Sequence, residues 1–113
     1  MASASDEAAF LAELEAMNRE YVLALPARFA AMTAAWAAVQ RGEAAALQAL
    51  VKDAHYLAGT GATFGQPPIS TAAGALEALL WPLAKSGALP GVEAAKDIAW
   101  QMASLNAAVE AAA

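Results

Sequence analysis

The sequence has no cysteine and a single histidine among its 113 residues. The first absence excludes a disulfide framework, and the two together leave a structural zinc site without ligands. Basic residues are scarce as well: six Lys and Arg face eleven Asp and Glu, for a formal net charge of −5. They occur singly, as Arg19, Arg28, Arg41, Lys52, Lys85 and Lys96. Phosphate backbones and anionic lipid surfaces call for clustered cations, so neither nucleic acid nor a membrane is expected as a partner. Long apolar runs are missing too. Stretches such as Ala34–Val39 and Ala78–Ala84 fall short of the roughly 18 residues that a membrane span needs. The opening MASASDEAAF is acidic where a signal peptide is basic, and it has no apolar core. The expectation is a soluble, cytoplasmic, monomeric protein with one domain over residues 1–113.

What the chain has in quantity is alanine, about a third of all residues. Alanine is the strongest helix former, and valine, isoleucine and β-branched runs are few, so the fold class is all-α. A short first helix is expected from Asp6 to Met17, capped by Ser5, with Phe10, Leu11 and Leu14 as its apolar stripe and a break at Asn18. A long helix follows from Arg19 to Gln40. Its large residues Val22, Leu25, Phe29, Met32, Trp36 and Val39 alternate three and four apart, and Pro26 implies a kink or a late start. Gly42 ends it. The next helix spans Glu43 to Phe64 with Leu47, Leu50, Ala54, Leu57, Gly61 and Phe64 inward, and is closed by Gly65 and Pro67–Pro68. Ser70 or Thr71 caps another that reaches Lys85, with Leu76, Leu79, Leu80 and Leu83 inward and a bend or early fraying at Pro82. Pro90 opens the last, with Ala95, Ile98, Met102, Leu105 and Val109 inward. Short connections and narrow seams predict an antiparallel up-and-down four-helix bundle, the short extra N-terminal helix capping one end. Only the first few residues and Ala111–Ala113 read as unstructured.

The histidine lies in AHYLAGTGATFG, Ala54 to Gly65. At about 100° per residue, the apolar stripe of this helix is centred roughly 130° away from His55. The ring shares its face with Gln48, Lys52, Ala58, Gly59, Ala62 and Gln66, all small or polar. Gly59 sits one turn on, at a cost of about 1 kcal/mol against alanine, where a side chain would crowd the imidazole. That cost makes sense if another molecule must approach the ring. Gly61 falls on the core stripe and lets a neighbouring helix come near.

The same stretch resembles the signature of histidine-containing phosphotransfer (HPt) domains: Ala54 and His55, an apolar Leu57, Gly59, the small residues Thr60 to Ala62, then Phe64 and Gly65. LPARF (Leu25 to Phe29) is similar to that family's Leu-Pro motif in the preceding helix, and LEALL (Leu76 to Leu80) to its Leu-Glu segment in the following one. The resemblance implies a four-helix bundle that accepts a phosphoryl group on His55 from a receiver-domain phospho-aspartate or a kinase and passes it to a response-regulator aspartate. It implies receiver domains and a sensor or hybrid histidine kinase as partners, and no cofactor of its own. The family usually has Lys or Arg three residues after the histidine, where this chain has Ala58. Lys52, one turn before His55, is the candidate replacement.

The residues themselves allow this chemistry. A neutral imidazole is a nucleophile near pH 7, through its outer nitrogen Nε2. A nearby lysine favours the charged phosphoryl product. No acid–base partner is evident: Asp53 lies about 200° away on the wheel, and Ser70 has no third member for a triad. Metal belongs to the partner's site, which makes this chain a covalent carrier rather than a self-sufficient enzyme. Ala58, Gly59 and Ala62 are expected to form a smooth docking patch rimmed by Gln48, Lys52, Thr63 and Gln66. A second class stays open: a helical adaptor or dimerisation module without phosphotransfer, anchored by Trp36, Trp81 or Trp100. An exposed apolar patch around Trp81 remote from His55 favours the adaptor. An exposed small-residue patch around His55 favours phosphotransfer.

Overall fold

A computed structural model describes residues 3–112. Four helices account for nearly all of them: α1 (Ala4–Gln40), α2 (Ala46–Thr60), α3 (Pro67–Ser86) and α4 (Val92–Ala111). Among the described residues there is no strand. Helix α1 packs on α2, α2 on α3, α3 on α4, and α4 back on α1, while the diagonal pairs do not meet. The α2–α3 interface is the most extensive and the α1–α4 interface the least. The core is wholly apolar. Leu25, Met32, Leu47, Leu50, Leu57, Ile69, Leu76, Leu80, Ile98 and Leu105 are its largest fully buried side chains. Each contributes about 1.5–3 kcal/mol by leaving water.

Helix α1 departs from the expected two-helix reading. It runs unbroken through Asn18, so no separate short N-terminal helix exists. Asparagine is only a moderate helix breaker, and with neither Gly nor Pro beside it nothing stops propagation. The cap is Ser3 rather than Ser5: its Oγ accepts from Asp6 N at 3.2 Å, and Asp6 Oδ2 accepts from Ser3 N at 3.3 Å, a reciprocal capping box. Phe10, Leu11 and Leu14 cap nothing; they are exposed on a stretch of α1 that projects past the bundle. Tyr21, not Val22, begins the buried seam. Pro26 and Pro82 each delete one backbone hydrogen bond, yet α1 and α3 continue through them.

Alanine also changes the hydropathy reading. A window of α1 reaches a mean hydropathy of 1.5, enough by length and composition to cross a membrane. The expectation of no span counts uninterrupted apolar stretches, and none in α1 reaches that length. The same helix supplies Leu25, Phe29, Met32, Trp36 and Val39 to the bundle core.

The remaining boundaries shift by a few residues. A turn from Gly42 to Ala45 precedes α2, which therefore begins at Ala46. Helix α3 begins at Pro67, not at a Ser70 or Thr71 cap, because prolines in a first turn lose only N–H groups that have no partner there. Pro90 is not the first residue of α4: it precedes the Gly91 N-cap, and the helix begins at Val92. Leu79 and Leu83 are only half-buried, and Ala73, Ala84 and Ile69 fill the α3 face beside Leu76 and Leu80. In the tail expected to be unstructured, Ala111 is helical and Ala112 caps α4. Met1, Ala2 and Ala113 lie outside the described residues.

Candidate functional site

The α2–α3 connection sets the site. Past Thr60 the chain makes one more helical turn and stops at Gly65, whose φ of +80° is a left-handed conformation that costs glycine nothing. Gly65 N donates to Ala62 O at 3.2 Å and Gln66 N to Gly61 O at 2.7 Å, the paired bonds of a Schellman cap. Gly61 is buried against the first turn of α3. A Cβ there would lie 2.6 Å from Ser70 N and 2.9 Å from Gln66 O. Bare backbone at Gly61 lets α3 fold back tightly along α2.

Leu47, Leu50, Val51, Ala54 and Leu57 face the core, which turns His55 outward with its side chain 77% exposed. Glu77 reaches it from α3. Its Oε2 lies 2.5 Å from His55 Nδ1. An ionised carboxylate only accepts hydrogen bonds, so Nδ1 carries the proton and donates it. The neutral ring then keeps its lone pair on Nε2, the nitrogen turned away from Glu77. Glu77 was not foreseen as a partner. The LEALL segment contains it, but only the close α2–α3 packing brings it across to His55.

An apolar groove of about 820 Å³ runs between α2 and α3 with His55 and Glu77 in its wall. Val51, Lys52 and Tyr56 line it from α2, and Gly74, Trp81 and Pro82 from α3. Trp81 is 58% exposed and so belongs to the histidine's own surroundings, not to a remote patch. Arg28 of α1 sits 4.0 Å over the Tyr56 ring, a cation–π contact at the opposite border of the site. Tyr56, Trp81 and Arg28 were not singled out beside His55 in sequence, because each arrives through a side chain long enough to cross between helix faces. Deeper in, Tyr21 and the Thr60 hydroxyl share a 2.9 Å hydrogen bond, and burial pushes the Tyr21 phenol above its usual range while that bond opposes the rise.

The expected docking residues separate into two groups. Lys52, Gly59, Ala62 and Thr63 are exposed around His55, and a Cβ at Gly59 would meet nothing within 4 Å. The other three are partly committed elsewhere. Ala58 is half-buried against the core. Gln48 Nε2 donates to Ala84 O at 2.7 Å and ties α2 to the end of α3. Gln66 is the half-buried N-cap of α3. Among the described residues no three His, Asp or Glu converge as metal ligands would.

No curated protein and no solved structure matches the chain. The family model described as the Hpt domain matches residues 8–113, a span that takes in His55, Glu77 and the core of all four helices. With an exposed histidine on the second helix of a four-helix bundle, and with that match over nearly its whole length, the chain belongs to the Hpt domain family.

Proposed function

We propose that this protein is a phosphorelay carrier that takes a phosphoryl group on Nε2 of His55 from a receiver-domain phospho-aspartate, or from a kinase, and passes it to a response-regulator aspartate. Hpt domains work in histidine phosphotransfer within two-component phosphorelays, alongside receiver domains and histidine kinases. The observation that carries the reading for this chain is the His55–Glu77 pair, which holds the Nδ1 proton and leaves the Nε2 lone pair outward on an exposed helix face.

In the forward step the Nε2 lone pair attacks phosphorus and the bond to the aspartyl oxygen breaks. The aspartate leaves as a carboxylate, and the imidazole ring becomes a phosphorylated cation. Nδ1 keeps its proton throughout, and Glu77 balances the positive charge that the ring acquires. Return transfer reverses each step. Lys52, in the groove wall beside His55, is the cation proposed to face the phosphoryl oxygens in place of the basic residue missing at Ala58. The exposed Gly59 and Ala62 form the central part of the receiver's footprint beside the half-buried Ala58, with Gln48, Thr63 and Gln66 at its edge. An apolar patch with a polar border suits a transient complex.

The reading includes a single domain over residues 1–113, an up-and-down antiparallel run of helices supported by the short connections, a monomeric state and a cytoplasmic location. It includes neither nucleic acid nor membrane as a partner. Of the adaptor's anchors, Trp81 shares the groove with His55, Trp36 is buried in the core and Trp100 alone stands exposed on α4, so the adaptor reading rests on Trp100.

The test is incubation with receiver domains loaded by a small phosphodonor, followed by assay of acid-labile phosphate. Wild type should acquire it. His55→Gln should acquire none, with melting within about 0.5 kcal/mol of wild type, as surface substitutions generally are. Normal phosphate incorporation in His55→Gln would overturn the assignment.

A further inference from the structure

We propose that the projecting stretch of α1 is a second interaction surface, and that its occupant is a partner helix with an apolar stripe and basic flanks. Helix α1 has 37 residues where α2, α3 and α4 have 15, 20 and 20. It meets the α2–α3 turn at Asn18, whose Nδ2 lies 3.6 Å from where a Gly65 Cβ would be. Residues 4–17 therefore continue past the end of the bundle for about 21 Å. Every residue from 3 to 15 is exposed.

This stretch is not polar all round. Phe10, Leu11, Leu14 and Met17 are 60%, 57%, 39% and 49% exposed, and their spacing puts them on one side of the helix. Farther along, the same helix buries Tyr21, Leu25, Phe29 and Met32 in the bundle. An isolated surface leucine needs no explanation, but four large side chains in register on an unsupported helix form a patch.

The borders of the stripe say what covers it. Glu15 flanks one side, and Glu13 and Glu20 flank the other, each about 100° from its centre. Among the described residues none of the three is in an ion pair. Asp6 and Glu7 are accounted for by the capping box and the first helical turn; Glu13, Glu15 and Glu20 lie beyond it. A second copy fits poorly, because pairing two identical stripes brings acidic borders against acidic borders. It would also bury only on the order of 400 Å² a side, about half of what a stable complex uses. An anionic lipid surface is repelled by the same charges. A helix with lysine or arginine beside its own apolar stripe turns both borders into attraction, in a complex of transient strength.

The probe is a fluorescent amphipathic peptide of Leu, Lys and Ala with heptad spacing, titrated into the full chain alongside a scrambled peptide of the same composition. Saturable binding of the patterned peptide is expected, at least tenfold tighter than the scrambled one. Leu11→Ser/Leu14→Ser should weaken it at least tenfold, while melting and phosphoryl acceptance on His55 stay at wild-type level. Equal binding of the two peptides, or undiminished binding by the double variant, would overturn the proposal. Sedimentation of the chain alone adds one further outcome. A dimer that the double variant abolishes would make a second copy the occupant and overturn the proposal as well. The peptide-binding and sedimentation results do not depend on whether His55 carries phosphate.

Discussion

Two glycines on either side of Thr60 should respond to alanine in opposite directions. At Gly59 an added Cβ meets nothing within 4 Å, so only helix propensity changes. Gly59→Ala should stabilise the protein by about 0.5–1 kcal/mol. At Gly61 the same methyl group lands 2.6 Å from Ser70 N, 2.8 Å from Ser70 Oγ and 2.9 Å from Gln66 O. Two of these three atoms are backbone and cannot rotate away. The third holds Ala62 N at 2.7 Å, so displacing it loses a hydrogen bond of about 1 kcal/mol. Overpacking costs about 1–3 kcal/mol. Against a propensity gain of about 1 kcal/mol, Gly61→Ala should lose about 1–3 kcal/mol net. For a domain near this size 1 kcal/mol corresponds to a shift of about 4–8 °C in Tm, so the two variants should melt at least about 6 °C apart on opposite sides of wild type. Thermal melting by far-UV circular dichroism, with urea titration for the free energies, measures both. A Gly61→Ala protein that melts at or above wild type refutes the argument that α3 folds back against bare backbone. A Gly59→Ala protein that melts below wild type refutes the open face beside His55.

Three other outcomes test the site and its support. Glu77→Gln keeps an acceptor for His55 Nδ1 but removes the charge opposite the phosphorylated ring; discounted for the exposure of the pair, transfer from a phosphorylated receiver should slow about twofold to fivefold with unchanged helicity, and an unchanged rate refutes the role. Lys52→Ala should slow transfer without changing Tm, and Ala58→Lys in that background should restore part of the rate; equal rates in wild type and Lys52→Ala dismiss Lys52 as the phosphoryl cation. The Tyr21 phenol is raised above 10.0 by burial, so the unfolded chain ionises first and stability falls as pH climbs from about 10 through the folded value; Tyr21→Phe should remove that part of the alkaline loss, read by urea unfolding between pH 7 and 11, while giving up the hydrogen bond to Thr60, about 1 kcal/mol at neutral pH.

The sequence was most informative where one helix carries its own signal. The seam of Leu47, Leu50, Ala54 and Leu57 fixed which way His55 points, because a helix turns by a constant angle whatever it packs against. Gly42 and Gly65 mark helix ends in the sequence, and both have positive φ. Glu77 was illegible as a partner for the opposite reason: its approach to His55 depends on the relative rotation and height of two helices, set by Gly61 and the Schellman cap together. The α1 error has a different source. Phe10, Leu11 and Leu14 form a good amphipathic pattern, and periodicity alone does not distinguish a face that is buried at home from one left exposed. On a helical wheel the docking patch is a continuous face, but a wheel has no neighbours. Gln48 was drawn off to the Ala84 carbonyl and Ala58 into the core edge.

His55 and Glu77 belong to consecutive helices joined by a six-residue connection, and those two helices share the most extensive interface of the bundle. The seam between α1 and α4 is the least extensive and also closes the longest loop in the chain. Opening that seam exposes less apolar surface than separating α2 from α3, so it is the cheaper excursion from the native state. Hydrogen exchange should therefore reach α4 amides through small openings, while the helical hairpin from Ala46 to Ser86 exchanges only near the global unfolding free energy. The phosphoacceptor pair lies in the slow-exchanging unit. A chain that breathes at its outer seam keeps its histidine aimed.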